Sequence, residues 1–275
     1  MRTRILLTAF LMAVVIGVVA AFIVSRGSGG DAANSGPAST PSAVGSAPTD
    51  SAPTGTGFSD PISDRYGRKV AVPNNPAGQP LPQHDPAARR VECGSGAAVS
   101  SPEQVMIQRS YGMPILMSQT DGPTHLEGTV LTGYRHSLQG AVLAGWNWVA
   151  RSYVGGVPTR ETITQLTILP AADRSRIAQA PLSMPNGADR FRAVVVAPDA
   201  FRVLSCDSEF VAAEWALRLD IDGTGAATSS PRWVGIRLNL LWRDGDWKVQ
   251  TSSQPITVGP GQRYTSIDGW TRWTQ

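Results

Sequence analysis

The chain has few of the residues from which most active sites are built. Its 275 residues include only three histidines and two cysteines. It has no GxSxG elbow, no HExxH helix, no P-loop and no GxGxxG turn, so the common hydrolase, metalloprotease, nucleotide and dinucleotide signatures are missing. His84, His125 and His136 are scattered, and neither a CxxC pair nor a zinc-spaced cluster is present. No catalytic, cofactor-binding or metal-binding residue is assigned, and the expectation is a protein that is not an enzyme. Charge is also sparse, at 16% of residues. The net charge of +3 is local in origin, because Arg2, Arg4 and Arg26 flank the first apolar run and residues 1–26 contain no acid. The rest of the chain balances 21 basic against 21 acidic residues, so bulk charge gives no support to a nucleic-acid partner.

What is present begins with that apolar run. Within Ile5–Val24 only Thr8 and Gly17 fall outside the strongly apolar or alanine set. Twenty helical residues span about 30 Å, the thickness of a bilayer core. A cleaved signal peptide has a shorter apolar region and a small-x-small end; this run closes instead on Phe22-Ile23-Val24-Ser25-Arg26. The reading favours an uncleaved anchor, with residues 1–4 cytoplasmic by the positive-inside bias and everything after residue 24 outside the cell membrane. Residues 25–90 are rich in Gly, Ser, Ala, Pro and Thr, which cannot bury enough surface to offset chain entropy. They are expected to form a disordered tether with a reach on the order of 45 Å. Only the Val70-Ala71-Val72 patch within it is a candidate to dock. Both cysteines, Cys93 and Cys206, fall in the exported part, where a pair is usually bridged; two buried free thiols are the alternative.

Residues 91–275 are expected to form the folded domain. Leu138, Val142, Trp146, Val149 and Tyr153 recur at helical spacing after Ser137, a natural N-cap. Gly140, Ala141, Ala144 and Gly145 would let another backbone approach this helix closely. Thr159–Leu169 and Ala171–Gln179 suit two shorter helices. From Phe191 the period becomes two, and residues 211–221 and 234–242 alternate as half-buried antiparallel strands. Asp244-Gly245 suits a two-residue type I′ turn, which would pair Trp242 with Trp247, Leu240 with Val249 and Arg243 with Asp246. The fold expected is α+β: a cone-like curved antiparallel sheet wrapped around one long helix with two shorter helices, preceded by the transmembrane helix and tether. Trp146, Glu214, Trp242 and Trp247 are the residues to watch for a cavity or interface. The tryptophans are more simply a core pair, and Glu214 a solvated strand residue. His136 reads as a boundary or capping residue.

The order of elements, ending in Leu240-Leu241-Trp242-Arg243-Asp244-Gly245-Asp246-Trp247-Lys248-Val249, resembles the nuclear-transport-factor-2-like superfamily. Asp121-Gly122-Pro123 and Gly133-Tyr134-Arg135-His136-Ser137-Leu138-Gln139-Gly140-Ala141-Val142-Leu143-Ala144 resemble membrane-anchored actinobacterial proteins of unknown function associated with conjugative elements. That likeness covers roughly residues 100–255, with Ser137-Leu138 standing where many members read Thr-Pro. By analogy the layout is similar to the bitopic inner-membrane component of type IV secretion systems. The resemblance implies an assembly role, with the membrane, envelope subunits or a second copy of the chain as partners. An extracytoplasmic module for a small ligand or peptide is the alternative.

Overall fold

The computed structural model describes residues 55–84, 93, 99–180, 192, 195–221, 227–250 and 262–275. A first sheet holds β1 (Phe58–Ser63), β2 (Lys69–Pro73), β3 (Met106–Ser110) and β4 (Met113–Met117), in that order. β5 (His125–Glu127) and β6 (Val130–Thr132) form a small hairpin. Next come α1 (Leu138–Ser152), α2 (Gly156–Leu166), the short β7 (Thr167–Ile168) and α3 (Ala171–Gln179). The second half supplies β8 (Ala200–Cys206), β9 (Phe210–Ile221), β10 (Ala227–Arg243), β11 (Asp246–Gln250), β12 (Arg263–Tyr264) and β13 (Thr271–Arg272). These build a seven-stranded sheet in the order β13-β8-β9-β10-β11-β7, with β12 paired to β10.

Two features correct the expected fold. The described residues hold about twice as much strand as helix, in three sheets, and their helices run 15, 11 and 9 residues, so a single cone of sheet around one long helix does not describe them. No described helix is long and apolar enough to cross a membrane; Ile5–Val24 lies outside the described residues. The expected tether boundary also moves. Residues 55–84 contribute β1, β2 and the turns after them, while 25–54 and 85–90 lie outside the described residues. Composition misled here because the prolines take positions a sheet tolerates. Pro61 sits at a register shift of edge strand β1 and Pro73 ends β2, sites where a missing N–H costs little.

The added sheet changes the status of α1. Its amphipathic spacing suggested one buried face, yet all fifteen residues are buried. The seven-stranded sheet covers one side: Trp215 on β9 comes close enough that a Cβ on Gly145 would lie 2.4 Å from its ring. β4 covers another. Trp146 Nε1 donates to the Pro114 carbonyl at 2.9 Å, and Asn147 exchanges two 2.8 Å bonds with the backbone of Leu116. Ser137 caps the helix as its sequence implies, accepting from Gly140 N at 2.9 Å. The β10–β11 hairpin pairs Trp242 with Trp247, Leu240 with Val249 and Arg243 with Asp246. Asp244 and Gly245 have φ of 54° and 80°, the positive values a type I′ turn needs.

Cys93 and Cys206 are joined, with Cα atoms 5.8 Å apart and a sequence separation of 113. In the chain-entropy account, closing such a loop adds about 4–5 kcal/mol. Reduction, or Cys206→Ser, is therefore expected to lower the melting temperature by about 10 °C. A melt unchanged by reductant would show that the native protein does not depend on the bridge.

Candidate functional site

The outer face of the large sheet, turned away from α1, carries an ordered polar arrangement. Side chains alternate across a strand, and the register sets them in rows. Arg202 on β8, Glu214 on β9 and Arg237 on β10 lie side by side. The next row is Ala200, Ala216 and Gly235, and beyond it Arg218 lies opposite Trp233. The row of small residues leaves a trough. The C-terminal tail returns over it, pairing Tyr264 with Trp233 and Thr271 with Phe201. Tyr264, Ile267 and Trp270 pack there on Ala200, Ala216 and Trp233 as a second, smaller core. Gly235 is required by contact: a Cβ there would lie 2.1 Å from Glu214 Oε1 and 3.0 Å from the Tyr264 ring.

Two buried carboxylates hold this face rigid. Glu214 is 0% exposed. Its Oε2 accepts from Arg202 Nε at 2.9 Å and Nη2 at 2.7 Å, while Oε1 accepts from the Tyr264 hydroxyl at 2.9 Å and pairs with Arg237 Nε at 2.9 Å. Asp199, with its side chain 8% exposed, accepts from Arg218 Nε at 2.8 Å and Trp233 Nε1 at 2.9 Å, and lies 3.3 Å from Arg68 Nη1. The guanidiniums sit on aromatic faces: Arg202 is 4.3 Å from the Trp270 ring centre and Arg218 is 4.6 Å from that of Tyr66. The hydrogen bonds to Glu214, then Tyr264, push the Arg237 pKa up. The acids lie beneath and the cations above: the Arg237 side chain is 51% exposed and that of Arg202 34%. Chemically the arrangement can hold anionic or aromatic groups; it offers no nucleophile paired with a base.

The residues singled out from sequence do not converge. Glu214 is enclosed by Arg202, Arg237 and Tyr264, which corrects its reading as a solvated strand residue; the register across the loop to β10 was not legible locally. Trp146 belongs to the core between α1 and β4. Trp242 and Trp247 meet edge to face at 5.4 Å on the inner side of the sheet, opposite to Glu214. Trp247 Nε1 donates to the Arg135 carbonyl at 2.9 Å. His136 stacks on Trp242 at 4.2 Å and 7°, with Nε2 2.7 Å from the Ser208 carbonyl, a position at the boundary of the core. Arg202, Arg237, Tyr264 and Trp270 were missed as a group. Arg237 lies on the polar side of an alternating strand, but nothing local links it to the tail. Among the described residues no group of three His, Cys, Asp or Glu side chains is placed to hold a metal.

Asp246 ties the β10–β11 hairpin to the entry of α1. Its carboxylate accepts from Gly133 N at 2.7 Å, Tyr134 N at 3.3 Å and Trp247 N at 2.8 Å. Burial outweighs these three bonds and pushes its pKa up to about 6.

The sequence model of one family, described as a domain of unknown function (DUF8175), matches residues 71–272. The chain belongs to the DUF8175 family. The matched span runs from within β2 to within β13, so the DUF8175 domain includes the first sheet's inner strands, α1, the Arg202–Glu214–Arg237 row and nearly all of the tail that covers it. No curated protein and no solved structure matches the chain.

Two outcomes test this geometry. Gly235→Ala is expected to cost about 2–3 kcal/mol through overpacking and to speed hydrogen exchange in residues 262–275 while leaving the β10–β11 hairpin protected. For Asp246, a folded pKa of about 6 against an ordinary 3.8 means the native state holds the proton more tightly. Its contribution to stability is full below about pH 4 and is lost as pH rises through about 6, on the order of 3 kcal/mol. The stability difference between the native protein and Asp246→Asn, followed by urea melts from about pH 4 to 7, should shift by that amount; a flat difference would refute it.

Proposed function

We propose that this DUF8175 protein is a non-enzymatic, single-span envelope protein whose folded domain binds other subunits of a conjugation or type IV-like secretion machinery. The observation that carries the reading is the outer face of β8–β10. Its arginine, tyrosine and tryptophan side chains are held in place by buried carboxylates before any partner arrives. Arg, Tyr and Trp are the residues most enriched where interfaces concentrate their binding energy, and preorganisation lowers the entropy cost of association. The Cys93–Cys206 bridge suits an oxidising compartment outside the cell membrane. Ile5–Val24 has the length and apolarity of an anchor, and the likeness at Gly133–Ala144 to proteins of conjugative elements points to the same setting.

Cross-linking in intact cells, followed by purification through a C-terminal tag and mass spectrometry, tests the reading. Conjugation or secretion subunits are expected in the eluate. Recovery of the chain alone, or only as a homo-oligomer, would overturn it.

A further inference from the structure

The outer face also specifies what kind of partner surface it fits. Glu214 and Asp199 are used up internally and shielded, whereas the guanidiniums keep unused donors. Arg202 bonds through Nε and Nη2, and Arg237 through Nε and Nη2, leaving Nη1 of each without a partner among the described residues. Arg218 bonds through Nε, and neither of its Nη atoms has a hydrogen-bond partner among the described residues. Arg68, by contrast, is saturated by Asp64, Asp199 and the carbonyls of Ala197 and Pro198. Its partner Asp64 is therefore neutralised as well. The tail over the trough adds exposed Arg272, opposite Ala200, alongside one exposed acid, Asp268. An approaching molecule meets cations in front, with their counter-charges behind them.

The spacing is defined. The Arg202–Arg237 pair flanks Glu214 and the third donor is Arg218, four positions along β9, or about 13 Å in a strand. The ring of Trp270 lies beside the first pair, against Arg202. We infer that this face binds an acidic, extended segment of a partner protein, one carboxylate bridging Nη1 of Arg202 and Arg237 and a second, about four residues away, meeting Arg218. Carboxylates favour this because guanidinium donates to them through charge-assisted, directional hydrogen bonds, one from each of Arg202 and Arg237 and two from Arg218. The rest of the chain after residue 26 is charge-balanced, so the attraction belongs to the face rather than to the molecule. This inference rests on the binding role proposed above and names the chemistry of the partner.

The test uses the full-length chain in detergent micelles and a fluorescein-labelled Gly/Ser peptide carrying two glutamates about four residues apart, read by anisotropy. Saturable binding is expected, weakening on going from about 0.05 M to about 0.5 M salt and lost when both glutamates are glutamines. Arg237→Gln and Arg218→Gln should each weaken it about three- to tenfold, read well below each variant's own melting temperature because each also removes a partner of a buried carboxylate. Because Arg237 also touches Glu214, Arg218→Gln serves as the variant whose loss leaves that carboxylate's partners intact. Equal binding of the glutamine peptide, or unchanged affinity in both variants, would overturn the inference. So would a clear preference for a single-stranded oligonucleotide or for phosphatidylglycerol vesicles. The two readings fail separately. If the variants still recover envelope subunits in cells, the acidic-segment inference falls and the assembly role stands. If the native chain recovers none, the assembly role itself falls.

Discussion

The enclosure of α1 on every side is the constraint from which the rest of the architecture follows. A helix buried all round has no water to satisfy its polar side chains, so each must find a protein partner. Asn147 meets the requirement by exchanging two bonds with Leu116, which docks the first sheet on the helix as firmly as another strand would. At the N-terminus Ser137 does double duty, accepting from Gly140 N and donating to the buried Asp121 carboxylate at 2.7 Å. At the C-terminus Arg151 is the costly member. Its Nη2 donates to the Ala77 carbonyl and its guanidinium lies 5.1 Å from the Tyr111 ring, but Nε and Nη1 find no acceptor among the described residues. Burial pushes its pKa down to about 10. The cation is tolerated because it stands in the last turn, where helix carbonyls converge.

Ala77 comes from the proline-rich segment that composition assigns to a tether, so the same segment closes the first sheet and solvates a buried charge. This makes residues 55–84 part of the domain in an energetic sense. The family match begins at residue 71, inside β2, in keeping with that role.

On the opposite side of the large sheet, a second constraint produces the candidate site. Ala200, Ala216 and Gly235 are small in three adjacent strands, and their row admits the tail. The tail brings Tyr264 to Glu214 and Trp270 to Arg202. Without it the Arg–Glu–Arg row would be an ordinary solvated ladder of cross-strand charges. With it, the carboxylate is sealed and the arginines are fixed from behind by charge and from the side by aromatic rings. The division of labour follows: the inner face of the sheet carries the core, and the outer face presents a surface whose charge is set by burying its acids.

Much of this was readable locally. The Asp244-Gly245 turn, the Ser137 cap and the range of α3 depend on residues within a few positions of one another, and local chemistry is enough to specify them. The partition of β9 into two faces was readable for the same reason. The sequence by itself therefore determined the Ser137 cap of α1, the hairpin register and the lack of catalytic motifs. Tertiary structure decided what lies against each face. The proline-rich strands turned an amphipathic helix into an enclosed one. The pairing of β9 with both neighbours placed Glu214 between two arginines, and the returning tail buried it. Those outcomes depend on contacts such as Glu214 with Tyr264, fifty residues apart, and no local period or propensity carries information over that distance.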